Sequence, residues 1–222
     1  MVFAIAAGAL FFAGGNLLLV VFIITLSSLF FIVAAHSTRS PYADIGADRE
    51  IIQVLSYEPM IIFTAMFFYV ATNSFDVSSV LGLSLPLVTM VPGIFIGLLF
   101  VLTIKLRKSP FDLSFSHHAH QELVKGISTE MSGRTLALVE ITHWYETVLF
   151  MGYIGIFFVW ASPVAIAAVI VAVVLVYFLE IIIDNSFARV KWQAMLKWSW
   201  LVTFFCCSLS ILSVMLWTGL AG

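Results

Sequence analysis

The chain reads as an all-α, polytopic membrane helix bundle of about six spans plus a short N-terminal apolar helix. Three observations predict it. Hydrophobic residues make up 62% of the sequence and charged residues only 10%, with a mean hydropathy of +1.12, whereas soluble domains hold roughly 25% charged and 45–50% apolar residues. Apolar stretches recur at the length of about 20 residues that a helix needs to cross a hydrocarbon core of about 30 Å. Finally, the basic residues gather in alternate connections, so that threading the spans up and down brings all ten to one face. Residues 1–222 are accordingly treated as a single integral membrane domain, with the lipid bilayer as its first partner.

Met1 to Ala13 is apolar but too short to span alone, and Gly14-Gly15-Asn16 behind it reads as a turn. No positively charged region precedes this stretch, which argues against a signal peptide. It is expected to be the end of a helix or a short hairpin partner. Spans follow at roughly 16–35, 52–72, 86–106, 134–160, 162–183 and 193–218. The second contains Pro59 directly after Glu58; a proline inside a helix frees a carbonyl and bends the axis, giving a side chain or water room. Three connections, 36–50, 105–133 and 184–197, are expected as cytoplasmic loops. In or beside them lie Arg39, Arg49, Lys105, Arg107, Lys108, Lys125, Arg134, Arg189, Lys191 and Lys197, while the connections around 73–86 and 159–163 hold no Lys or Arg. The positive-inside rule then places the basic loops in the cytoplasm and the chain in the cytoplasmic (inner) membrane. The middle loop is long for a mere connection, as functional loops often are. His117 to Lys125 is expected to form a short amphipathic helix, and the loop's aromatic, acidic and histidine residues suggest a docking surface for a soluble partner.

Several function classes fall away. A net charge of −2 gives no reason to expect nucleic acid. Cys206 and Cys207 are adjacent in an apolar run, so they make no ordinary structural disulfide, and no CxxC spacing offers a zinc or iron–sulfur site. No nucleophile and base stand at a recognised spacing, so no catalytic residue is assigned. His117, His118, His120 and Glu122 could in principle bind a metal. Helical metal pairs more often stand at i, i+4 with a remote third ligand, and a proton antenna or contact surface is the preferred reading. No metal is expected in this chain.

Charged side chains within the spans ask for a function, because each costs about 2.5–3.5 kcal/mol at mid-membrane on the insertion scale. Glu140, His143 and Glu146 are spaced by three. Steps of three advance about 60° around a helix, so all three fall within about 120° on one face. Glu58 sits in the second span, and Glu180 and Asp184, at i and i+4, mark the end of the fifth. Carboxyls in apolar surroundings hold protons more tightly, and a histidine titrates near neutrality. The row supports a proton or cation path.

Three motifs carry a family resemblance. Ser109-Pro110-Phe111-Asp112, then QELVKG (121–126) and STEMSG (128–133), resembles the membrane subunit shared by respiratory complex I (its subunit 1) and the energy-converting NiFe hydrogenases. RSPYADIGADREIIQVLSYE (39–58) resembles that family's other cytoplasmic signature. FARVKWQAMLKWSW (187–200) is similar to its closing RxxYxQLMxxxW pattern. Complex I proteins typically read FDLPEAExEL where this chain has FDLSFSHHAHQEL, and His143 falls where they carry a glutamate. HHAHQELVKG and ALVEITHWYE look like the Ech-type hydrogenase branch. The family normally begins with another helix and a basic segment ahead of the position of Met1; a shortened chain, or a second polypeptide supplying that part, is expected.

The resemblance implies a membrane-anchor and coupling subunit. Its expected partners are peripheral large and small hydrogenase subunits, an iron–sulfur subunit and an antiporter-like membrane subunit. The NiFe centre and iron–sulfur clusters would reside in those partners, and this chain would hold no cofactor. Glu58, Glu140, His143, Glu146, Glu180 and Asp184 would form the ion pathway. Arg107, Lys108, Asp112, His117, His118, His120, Glu122 and Glu130 would shape the coupling loop against the peripheral arm, with Arg39, Asp44, Asp48 and Arg49 as the other wall. The alternatives are a subunit 1-like part of a quinone oxidoreductase of the complex I type, and a stand-alone cation/proton antiporter. The quinone reading lacks the EAE pattern here, and the antiporter reading lacks internal inverted repeats.

Overall fold

A computed structural model of the chain describes residues 1–111, 114 and 125–221. It is 79% helical, which fixes the all-α class predicted from composition. The helices are α1 (Val2–Phe12), α2 (Leu17–His36), α3 (Pro41–Thr72), α4 (Leu87–Met90), α5 (Pro92–Lys105), α6 (Gly133–Ile156), α7 (Val164–Ser186) and α8 (Trp192–Ala221). Each predicted span falls on a helix, and the third on the α4–α5 pair. Four helices (α2, α3, α7 and α8) combine the length and apolarity needed to cross a membrane. Of the other two segments, α6 carries the charged row and α4–α5 is interrupted.

The apolar start is a hairpin partner. α1 turns back on α2 through Gly14, whose φ of +80° is open to glycine at no steric cost. Asn16 caps α2 by accepting from the Leu19 N–H at 3.0 Å. Stacked rings of Phe3 and Phe30, 5.2 Å apart, and of Phe11 and Tyr153, 5.3 Å apart, hold α1 against α2 and α6.

The two ends of the bundle differ in charge as expected. At one end the turn at Gly14–Asn16 bonds to the α3–α4 connection, Leu17 N–H donating to Phe75 O at 2.7 Å and Val77 N–H to Gly15 O at 3.0 Å. Ala161 N–H in turn donates to Leu83 O at 3.0 Å. None of these segments carries a Lys or Arg. At the opposite end, Val190 N–H donates to Pro110 O at 2.9 Å, and Gln53 Nε2 donates to Phe111 O at 2.6 Å. There the backbone of Gly126 and Ile127 lies so close to Gly46 that a β-carbon on Gly46 would collide with it.

Two connections are shorter than hydropathy predicts. Within 36–50 the chain is helical from Pro41, and between α7 and α8 only 187–191 are free of helix. Ser40, extended at the N-cap, and Pro41 at the first helical position start α3 well before the apolar run. Hydropathy marks where lipid contact begins, whereas the cap marks where the helix begins. The predicted amphipathic segment His117 to Lys125 lies almost wholly outside the described residues.

α8 repairs two broken helices. Pro59 cannot donate to the Leu55 carbonyl, and Trp200 Nε1 donates to that carbonyl instead at 3.2 Å. Ser199 Oγ donates to the neighbouring Ser56 carbonyl. Between α4 and α5, Val91 leaves helical geometry (φ −131°, ψ 60°) ahead of Pro92, as residues before proline do. Ser210 Oγ accepts from the Ile94 N–H at 2.8 Å, and Ser213 Oγ donates to the Met90 carbonyl at 2.9 Å. Gly93 and Gly97 leave room for this approach.

A β-carbon at Gly93 would press on the Cys206 carbonyl and the Ser210 hydroxyl, while Gly8 faces open space. Gly93→Val should therefore destabilise the protein by about 1–3 kcal/mol from overpacking, read as a lower thermal midpoint in detergent. Gly8→Val should leave the midpoint nearly unchanged.

Candidate functional site

Four helices converge on a buried ionic cluster at the basic end of the bundle. Lys105, the last residue of α5, turns inward and is 8% exposed. Its Nζ lies 3.2 Å from Glu146 Oε2 on α6, 3.3 Å from Ser28 Oγ on α2 and 3.3 Å from Tyr57 Oη on α3. The rings of Tyr57 and Phe150 face the same ammonium, with centroids 4.9 and 5.6 Å away.

Arg107 makes the second half of the cluster. It takes a positive φ of 53° just past α5, which aims its side chain back into the bundle. Nη2 donates to Glu50 Oε1 at 2.8 Å, and the other Glu50 oxygen accepts from Ser114 Oγ at 2.5 Å. Nη1 lies 2.5 Å from His143 Nε2 and the guanidinium sits over the Phe31 ring at 5.8 Å. An arginine only donates, so Nε2 must offer its lone pair. Burial works against the Arg107 charge, but the Glu50 and Glu146 carboxylates outweigh it and hold the guanidinium above its ordinary pKa.

Two cations thus face two carboxylates, Glu50 buried and Glu146 half-buried. A cavity of about 160 Å³ opens on this cluster, lined by Lys105, Arg107, Glu140, His143, Glu146 and Phe150 among others. A second of about 250 Å³, bordered by Phe3, Ser28, Phe30 and Thr142, shares Arg107, His143 and Glu146 with it. The spacing argument for α6 holds in that Glu140, His143 and Glu146 line one cavity, with Glu140 at its exposed rim.

The remaining pathway residues stand apart. Glu58 accepts from Thr25 Oγ1 on α2, a contact that fills the room beside Pro59. Glu180 is fully buried on α7; Oε1 accepts from Thr103 Oγ1 at 3.3 Å, and Oε2 has no hydrogen-bond partner. Asp184 lies 3.5 Å from Lys108 Nζ. On the proposed wall, Asp44 and Asp48 stand 3.1 and 3.9 Å from the two nitrogens of His36, while Arg39 and Glu130 are exposed and Arg49 is half-buried. Asp112, His117, His118, His120 and Glu122 lie outside the described residues. Among the described residues, no three His, Cys, Asp or Glu side chains are placed to hold a metal ion.

Sequence reasoning misses Lys105, Glu50, Tyr57 and Ser28 as site residues. Its position in the chain groups Lys105 with the loop cations, and hydropathy assigns Glu50 to a loop that proves to be helix. The available signal is periodicity: Glu50, Gln53 and Tyr57, at i, i+3 and i+7, share a helix face and are all buried.

A family described as NADH dehydrogenase matches residues 1–217. The chain is similar to Hydrogenase-4 component C of Escherichia coli K12, 28% identical over 186 residues, covering 77% of this chain and 58% of that protein. It is also similar to an NADH-quinone oxidoreductase subunit of Paramagnetospirillum magneticum, 27% identical over 184 residues, covering 77% of this chain and 53% of that protein. The chain thus spans little more than half the length of these relatives. A chain in the structure of the membrane-bound sulfane sulfur reductase, an archaeal respiratory membrane complex, shares the fold with a TM-score of 0.80 at 20% identity, over 96% of this chain and 77% of that one.

Breaking a buried ion pair costs about 3–5 kcal/mol, because the abandoned charge stays buried. Glu50→Gln should cost that much by stranding Arg107, read as a marked fall in thermal midpoint in detergent. Glu140→Gln, at the rim, should change stability by about 0.5 kcal/mol or less.

Proposed function

Because the chain belongs to the NADH dehydrogenase family, being matched over residues 1–217, we propose that it is the membrane-anchor and coupling subunit of an energy-converting NiFe hydrogenase. The observation that carries the coupling role is the cluster of Glu50, Arg107, His143, Lys105 and Glu146, buried or half-buried in an otherwise apolar bundle and opening on a cavity that charged side chains line. Anchoring alone requires no such cluster, since buried charges are costly in a membrane protein and mark ion paths and proton relays. The similarity to Hydrogenase-4 component C supports the hydrogenase branch.

In this reading the basic end faces the cytoplasm and meets a peripheral arm. The large and small hydrogenase subunits and an iron–sulfur subunit of that arm would hold the NiFe centre and clusters. Ser114 belongs to the long loop and is bonded to Glu50, which is bonded to Arg107, which is bonded to His143. A shift of the loop would therefore move Arg107 and change the proton affinity of the His143 ring. Glu140 and Glu146 line the same cavity, and once Arg107 has moved off Nε2 they can exchange protons with that ring through water. Glu58, Glu180 and Asp184 are further stations towards an antiporter-like membrane subunit that would move protons or sodium ions. One charge moved against about 100 mV costs about 2.3 kcal/mol, a modest demand on a redox step.

A second reading is a quinone oxidoreductase of the complex I type. The similarity to the NADH-quinone oxidoreductase subunit favours it, as does the larger cavity with Phe3, Phe30 and Phe31 on its walls.

A gentle detergent pull-down of the tagged chain, with mass spectrometry and a nickel and iron assay, separates the readings. Co-purifying nickel, iron and hydrogenase subunits are expected. Quinone-linked dehydrogenase subunits would move the chain to the second reading, and recovery of the metal-free chain alone would sink both. Within the complex, His143→Ala should lower redox-driven ion translocation in membrane vesicles several-fold while the subunits still co-purify. Normal translocation with intact assembly would remove His143 from the relay.

A further inference from the structure

The surroundings of the Lys105 ammonium resemble a small-cation site more than an ordinary salt bridge. Three oxygens from three different helices, Ser28 Oγ, Tyr57 Oη and Glu146 Oε2, stand 3.2–3.3 Å from Nζ and match its three N–H donors. Two ring faces, Tyr57 and Phe150, supply the remaining negative potential at 4.9 and 5.6 Å. Oxygen atoms gathered with one carboxylate around a central point are what a monovalent metal ion or an ammonium ion would also seek. Here that point is filled by the protein itself. The side chain is only 4% exposed.

We propose that Lys105 is a tethered cation that occupies the monovalent-cation site of this cluster and closes it to sodium, leaving protons as the ion that the Glu146–His143 cavity can pass. The neighbouring charges act in the same direction. Arg107 is held between Glu50 and His143 and takes the Nε2 lone pair, so the imidazole has no free acceptor on that side for a metal ion. An incoming sodium ion would have to share Glu146 with Lys105 and lie near a second fixed cation. A proton needs no such coordination shell. It adds to a carboxylate to give a neutral acid, and it leaves through water at the Glu140 rim. If sodium is moved by the complex, it then moves through another subunit.

The proposal takes its functional meaning from the coupling role above, but its test involves no redox turnover, so the two can fail separately. The full-length chain is purified in detergent, and its thermal midpoint is measured in sodium chloride, ammonium chloride and choline chloride at equal ionic strength. The wild-type midpoint should be the same in all three salts. Lys105→Ala should unfold at a clearly lower temperature in choline chloride and recover most of the loss, saturably, in ammonium or sodium chloride. If the variant cannot be purified in choline chloride, purification in ammonium chloride should restore it. A saturable rise of the wild-type midpoint with sodium over choline would show the site open and overturn the proposal. Failure of every small cation to rescue the variant, in purification or in midpoint, would overturn it equally, because a purely structural lysine predicts that result.

Discussion

The polar groups that this bundle buries must find their partners within it, because a hydrocarbon phase offers nothing in exchange, and among the described side chains Gln53 Oε1, Glu180 Oε2 and Thr203 Oγ1 find none. That constraint acts on the backbone and on the charges alike. Proline at 59 and the break at Val91–Pro92 each expose carbonyl or amide groups that a straight helix would have hidden. The Leu55, Ser56 and Met90 carbonyls and the Ile94 N–H are met by side chains of α8, through Trp200, Ser199, Ser213 and Ser210. The ionic cluster obeys the same rule. Lys105 faces Glu146, Arg107 faces Glu50, and hydroxyls of Ser28, Tyr57 and Ser114 take up remaining donors and acceptors.

Once these pairings are in place, the site is positioned by rigid elements. α2 and α3 each contribute two side chains and α6 three, and the end of α5 delivers both cations within three residues. Beyond these two cations, the long loop contributes Ser114, through Glu50. A site so built rests on helices, with Ser114 as its described link to the long loop.

The helices were legible because a membrane span leaves a length and a hydropathy that no other element shares. The inward face of α6 was legible too, since charges at intervals of three have one geometric meaning on a helix. Other features depended on three-dimensional facts that composition conceals. Lys105 and Arg107 stand where a basic residue ordinarily signals the edge of the membrane, yet both side chains turn inward. Glu50 lies ahead of the apolar run, so hydropathy left it in a loop, although Ser40 and Pro41 had already begun the helix. The resemblance to the complex I and hydrogenase membrane subunit pointed to the family that matches residues 1–217 but said nothing of which charges would pair.

The dependence of two broken helices on α8 bears on how the protein is made. α3 and the α4–α5 pair leave the ribosome well before α8, and until α8 arrives the Leu55, Ser56 and Met90 carbonyls and the Ile94 amide lack these partners. In lipid such groups are expensive to leave unmet. The early helices must therefore stay near water, near headgroups or in the care of the insertion machinery until the closing helix is synthesised. Completion of the fold therefore waits for α8, and a chain halted before it leaves these backbone groups without the partners the full bundle provides.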